Sequence, residues 1–146
     1  MSNKSKVRWT GDSTFEAQSS AGHTIAIQST SGNSQQSVGP SPMELILLGA
    51  GGCVSTNVVS ILKKSRVGFT DLEVELSGQR AADPPRVFTQ IHLHFLVTGH
   101  KLKSKTIARS IELAIEKYCS ATNMLAKAVE IEHSFELIEH SVEHST

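Results

Sequence analysis

Residues 41–62 read SPMELILLGAGGCVSTNVVSIL and are followed by KKSRVG through residue 68. This stretch decides the architecture. Ser41 can cap a helix, Pro42 suits the first helical position, and Glu44 stands three residues after the cap. The apolar pattern runs through Ile61 and Leu62, and Lys63, Lys64 and Arg66 favour the negative end of the helix dipole. Gly68 is the expected stop. A helix so nearly apolar along its length belongs at the centre of a fold rather than on its surface. Within it Gly49, Gly51 and Gly52 each cost about 1 kcal/mol relative to alanine. Such a cost points to close packing or to access for a substrate.

Outward from this helix the chain turns to strand. KVRWTG (residues 6–11) and HTIAIQS (23–29) alternate polar and apolar side chains, and the serine-rich STSGNSQQSVGPSP (29–42) reads as an exposed loop. DLEVELSGQR (71–80) places Leu72, Val74 and Leu76 on one face, and RVFTQIHLHFLVTG (86–99) does so with Val87, Ile91, Leu93, Phe95 and Val97. The intervening ADPP is a turn whose prolines prevent a continuous ladder. A second helix starts near Ser104 with Ile107, Ile111, Ala114 and Ile115 on one face. The pattern breaks at Cys119, and Ser120 or Thr122 could cap a short third helix over NMLAKA (123–128). A last strand, 129–139, carries Val129, Ile131, Phe135 and Leu137, and a flexible tail is expected from about 140. The order is strand–strand–helix–strand–strand–helix–helix–strand, an α+β domain spanning 1–146 whose alternating strands cover a core on one face.

Composition narrows the function. Acidic and basic residues balance at 14 each, so no global field draws the 146-residue chain to nucleic acid or an anionic membrane. Aromatic residues make up 5% of the chain, too few for a stacking platform along a single strand. MSNKSKVRWTGD has no apolar run behind its basic start, unlike a secretory signal. The apolar run from Met43 to Val54 is short for a bilayer span. Two cysteines in this context point to a reducing, cytoplasmic setting.

Those cysteines are Cys53, inside the glycine-rich helix, and Cys119, at the junction of two helical patterns. Neither CxxC spacing nor a Cys/His metal quartet accounts for them. Cys53 reads either as one more small buried residue or as a thiol kept accessible by its glycines. Cys119 reads either as a packed thiol beside Tyr118 and Met124 or as a thiolate stabilised by a helix start. The two can react together only if the fold brings their helices into contact. His92 and His94 share one strand face opposite the apolar one and are expected in solvent, with no acidic or thiol ligand at helpful spacing. His133, His140 and His144 are likewise expected at the surface, and no metal or other cofactor is expected. No GxSxG elbow surrounds Ser41, Ser55 or Thr56, and GAGG lacks the lysine of a phosphate-binding loop.

Around both cysteines, in SPMELILLGAGGCVSTNVVSIL and KYCSATNML, the chain resembles the OsmC/Ohr family of osmotically inducible and organic-hydroperoxide-resistance proteins. RVFTQIHLHFLVTGHKL resembles its YhfA-like branch, so the likeness covers nearly the whole chain. The resemblance implies an OsmC-like fold, two central helices wrapped by antiparallel sheets in an intertwined homodimer. It also implies thiol-dependent reduction of organic hydroperoxides, with Cys53 as the catalytic nucleophile, Cys119 as its resolving partner and an external dithiol as reductant. Active relatives hold an arginine near this thiol with a glutamate. Here TGDSTFEAQ after Trp9 contains no arginine, so Arg8 is the nearest cation and Glu44 the corresponding acid. The alternative is a dimeric module that binds a small apolar ligand at its interface without turnover.

Overall fold

The structure, a computed structural model, describes residues 4–29 and 37–140. Most of the expected serine-rich loop, and the expected flexible tail beyond His140, lie outside the described residues. Two compact units divide the chain, Met1–Ile46 and Leu47–Thr146.

The first unit holds an antiparallel sheet of β1 (Lys6–Gly11), β2 (Thr14–Gln18) and β3 (Thr24–Gln28). Sequence reasoning missed β2. TFEAQ offers only Phe15 and Ala17 to an alternation, too little to signal a strand by itself. Its signal is the turn before it: Gly11 (φ 122°) and Asp12 (φ 47°) adopt the left-handed backbone of a tight hairpin. The Trp9 indole N–H closes this turn on the Asp12 carbonyl at 2.9 Å. Register puts Val7 beside Ala17 and Ile25, and Trp9 beside Phe15 and Ile27, so one face is entirely apolar. Val7 and Trp9 on that face are 65% exposed.

Helix α1 (Pro42–Lys64) starts as expected, with the Glu44 N–H donating to Ser41 Oγ at 3.2 Å. Its end differs from expectation. Arg66, not Gly68, takes the left-handed position (φ 56°), and the Arg66 and Val67 N–H groups bond the Lys63 and Leu62 carbonyls. Gly68 instead packs closely, since a Cβ there would lie 3.2 Å from the His100 carbonyl, tighter than an ordinary contact. The full helix is long and apolar enough to cross a membrane by length and composition, which the shorter run considered in the sequence was not. One stripe of it, Ala50, Val54, Val58 and Leu62, is nevertheless buried in protein.

In the second unit β4 (Phe69–Arg80), β5 (Phe88–Gly99) and β6 (Glu130–Glu139) form a sheet in that order. Ile91, Leu93, Phe95 and Val97 on β5 are fully buried. Gly51 lets α1 lie against this sheet: a Cβ there would come within 2.7 Å of Leu76 Cδ1. Two expectations are corrected. The sheet is mixed, because β6 pairs parallel to β5; the intervening helices carry the chain back to the starting end, as a parallel pair requires. Val87 is 52% exposed while Phe88 is buried, because the β4–β5 register shifts between Gln79 and Arg80.

Helix α2 (Ser104–Leu113) buries Ile107 and Ile111 as expected, then continues as one π-helical turn, Ala114–Tyr118. That turn ends with the Cys119 N–H on the Ala114 carbonyl at 2.8 Å. Helix α3 (Ser120–Leu125) starts earlier than expected, and its cap is Cys119 itself rather than Ser120 or Thr122.

Candidate dithiol active site

Three residues placed by two helices make the site. Cys53 sits in the middle of α1, half-buried, with Asn57 Nδ2 donating to its carbonyl at 3.0 Å. Cys119 is fully buried at the start of α3. Ser120 follows it, and its hydroxyl lies 3.6 Å from Cys53 Sγ, within hydrogen-bonding range for sulfur. The π turn makes the junction. Side chains hold it: Thr122 Oγ1 and Asn123 Nδ2 donate to the Ile115 carbonyl at 2.9 and 3.2 Å, and Asn123 Nδ2 also reaches the Cys119 carbonyl at 2.8 Å. These bonds fix α3 against the end of α2, so its first N–H groups and the Cys119 thiol face Cys53.

The electrostatics split the two thiols. The Cys53 thiol is held below its ordinary range, first by the Ala121 backbone N–H, then by the Cys119 thiol, against the opposing effect of burial. The Ser120 hydroxyl and N–H add to the lowering. Donors that favour the charged form act this way on any acid. The push therefore comes from a helix start and neighbouring hydroxyl and thiol groups. Cys119 moves the other way. Burial raises it first, and the nearby Cys53 charge adds to this, although the Thr122 hydroxyl and N–H oppose. The sequence had offered the α3 start to Cys119 as its source of thiolate stabilisation. The helix start instead serves Cys53, while Cys119 caps it by accepting the Thr122 N–H at 3.4 Å.

The sequence missed Ser120 as a partner of the thiol and Ala121, Thr122 and Asn123 as its framework. A run of small and polar residues, SATN, directly after a cysteine is the signal that could have found them. Arg8 and Glu44 are placed in the other compact unit. Arg8 pairs with Glu16 in register on the face of its sheet opposite Trp9, and Glu44 lies exposed in the first turn of α1. Neither forms an ion pair among the described residues.

The histidine expectation is also corrected. Parallel pairing sets β6 beside His92 and His94, and Ser134 Oγ lies 2.8 Å from His92 Nε2 and 2.6 Å from His94 Nδ1. Glu132 approaches His92 at 3.8 Å and Glu136 approaches His94 at 3.4 Å, so acidic neighbours do come from the adjacent strand. Among the described residues no group of three or more His, Cys, Asp or Glu is arranged to hold a metal ion. His133, expected at the surface, is half-buried and shares the core-side register of Leu93. His144 lies outside the described residues.

The family described as OsmC-like protein matches residues 32–134. Protein YhfA of Escherichia coli K12 is 46% identical over 135 residues, covering 92% of this chain and 98% of that protein. An OsmC-like protein from Mycoplasma pneumoniae has a similar solved structure, with a TM-score of 0.82 at 17% identity over 94% of this chain and 98% of that one. The organic hydroperoxide resistance protein OhrB of Bacillus subtilis shares the fold at a TM-score of 0.66 and 18% identity, over 91% of this chain and 98% of that one. With its mixed α+β architecture and both cysteine segments inside the matched span, the chain belongs to the OsmC-like protein family.

Proposed function

We propose that this chain is a thiol peroxidase that reduces organic hydroperoxides through Cys53 and Cys119 in a reducing compartment. The observation that carries the reading is the opposite displacement of two adjoining thiols, one lowered by hydrogen-bond donors and one raised by burial. The Cys53 thiolate attacks the distal oxygen of the hydroperoxide, and the O–O bond breaks. The leaving alkoxide takes a proton and departs as alcohol, leaving a sulfenic acid on Cys53. The Cys119 thiol then attacks that sulfur, a disulfide forms and water leaves. An external dithiol reduces the disulfide and is itself oxidised. Cys119 suits the second step because, as a protonated thiol, it does not compete for the peroxide. The family resemblance supports this reading, as does the fold shared with the organic hydroperoxide resistance protein OhrB.

The reading includes a homodimer. Within the first unit, Val7, Trp9 and Ile25 leave an apolar sheet face uncovered, and Ile46 and Leu48 are exposed on α1. A second copy of the chain is the occupant these surfaces suit. Binding of an apolar ligand without turnover is the competing reading. It draws on the Cys53 thiol being lowered by hydrogen-bond donors of Ala121, Cys119 and Ser120 rather than by a cation.

The deciding experiment adds cumene hydroperoxide to reduced protein and follows thiols and dimedone adducts by mass spectrometry. The wild-type chain should lose two thiols, recovered with dithiothreitol. Cys119→Ser should stop as a dimedone-reactive sulfenic acid on Cys53, and Cys53→Ser should consume no hydroperoxide. Thiols that survive excess peroxide in folded protein would leave the binding reading standing.

A further inference from the structure

A cavity of about 370 Å³ lies in the second unit, apart from the two cysteines in sequence and in its lining. Arg66, Gly68, His100, Lys101, Lys103 and Thr106 are among the residues that form it, and no carboxylate is. That is a local excess in a chain with 14 acidic and 14 basic residues. A concave surface lined by one sign of charge focuses its field and concentrates the opposite ion.

The backbone around the cavity reinforces this. Arg66 (φ 56°) and Lys101 (φ 51°) both occupy the left-handed region, where glycine or asparagine is the unstrained choice. Among the described residues, two of the four non-glycine residues in that region therefore line this one cavity, and both are cations. At the α1 end of the cavity the Ser65, Arg66 and Val67 N–H groups bond the Ile61, Lys63 and Leu62 carbonyls, which reduces without removing the opposition of the negative dipole end to an anion. Lys103 caps α2 without any side-chain hydrogen bond, and the first turn of α2 carries no acid. The carboxylate nearest in bonding terms is that of Glu139, which accepts the Lys101 backbone N–H. It lowers the local positive charge without removing the excess. His100 is steadied at the cavity by the ring of His140, 5.2 Å away between centroids.

We propose that this cavity binds a small organic phosphate, with the phosphate group held by Arg66, Lys101 and Lys103. A guanidinium fork and two ammonium groups suit a dianion better than a single carboxylate. The volume is within the range of small-molecule sites and exceeds what inorganic phosphate alone would fill.

The test is a titration of the full-length, isotope-labelled protein in low-salt buffer with glycerol 3-phosphate and, separately, inorganic pyrophosphate, followed by amide NMR. Saturable shifts should be confined to residues 66–68 and 100–106 for both probes. The Arg66→Gly/Lys101→Gly variant suits the left-handed backbone, so its melting temperature should be unchanged or higher while affinity falls at least tenfold. Should that variant fold poorly, Lys103→Gln supplies the second measurement, with affinity down severalfold. Shifts that never saturate, or that spread equally over lysines such as Lys63 and Lys127, overturn the proposal. So does a folded variant that binds both probes as the wild-type chain does.

Discussion

The two three-stranded sheets of this molecule treat apolar residues in opposite ways. The sheet β4–β5–β6 is complete within its own unit: Ile91, Leu93, Phe95 and Val97 are all fully buried. The sheet β1–β2–β3 gathers six apolar residues on one face, yet leaves Trp9 and Val7 at 65% exposure and Ile25 at 49%. The alternation pattern is the same in both. Pattern says which face is apolar; it does not say whether the same chain provides the cover. Under the proposed homodimer, the first sheet's contribution to stability should depend on protein concentration, and the second's should not.

Phe95→Ala probes the self-sufficient sheet most severely. Truncating a fully buried phenylalanine should cost about 3–5 kcal/mol. Urea unfolding would read this, with the same loss at low and high protein concentration. Gly51→Ala comes next, because its new methyl would press on Leu76; overpacking of this kind costs about 1–3 kcal/mol. Shortening the obstacle with Leu76→Val should recover much of it. A Trp9→Ser/Val7→Ser variant should leave the melting temperature of dilute protein nearly unchanged and lower that of concentrated protein. If the proposed homodimer forms, sedimentation should show this variant shifted toward monomer relative to wild type. A concentration-independent loss would mean that the first sheet is covered from within the chain.

Gly49 and Gly52 sharpen the comparison further, since nothing lies within 4 Å of a Cβ at either. In a lone chain, Gly49→Ala or Gly52→Ala should stabilise α1 by about 1 kcal/mol through helix propensity. If a second copy packs on that face, the sign reverses at high concentration. The smallest effect concerns the thiols. The lowered Cys53 pKa means its thiolate persists as pH falls below the usual thiol range near about 8.5. Any stability tied to that charge is present above that range and is lost as pH falls through the folded-state value. Alkylation of Cys53 should thus have its midpoint below, and alkylation of Cys119 above, that of an unperturbed thiol. Ser120→Ala should move the Cys53 midpoint upward only slightly, because the Ala121 N–H is the larger influence.

Much of this was legible in the sequence. The start of α1 followed from Ser41, Pro42 and Glu44, and the core face of β5 from the spacing of Ile91, Leu93, Phe95 and Val97. Other elements depended on partners distant in the chain. The parallel pairing of β6 is fixed by where α2 and α3 deliver it, and that pairing gives His92 and His94 their glutamates. Strand β2 is held by its neighbours more than by its own five residues. The allocation of the α3 start to Cys53 was hidden for the same reason. A cysteine adjacent to a helix start in sequence caps it, whereas one on another helix can meet its N–H groups head on.

The π turn at Ala114–Tyr118 amounts to one surplus residue in an otherwise α-helical path. Each residue of an α-helix advances the chain by about 100° around the axis. Removing a single exposed residue such as Glu116 would let the path relax to ordinary α geometry with the atoms beyond it nearly in place, because the π turn has already absorbed the extra step. The apolar stripe of α2, the Cys119 thiol and the amides of α3 would then keep their seats, whereas the same deletion in the α-helical part of α2 would turn Cys119 away from Cys53 by that amount. The π turn thus stores one residue of slack: a deletion within it spares the thiol pair, and a deletion just upstream dismantles the pair without altering either cysteine.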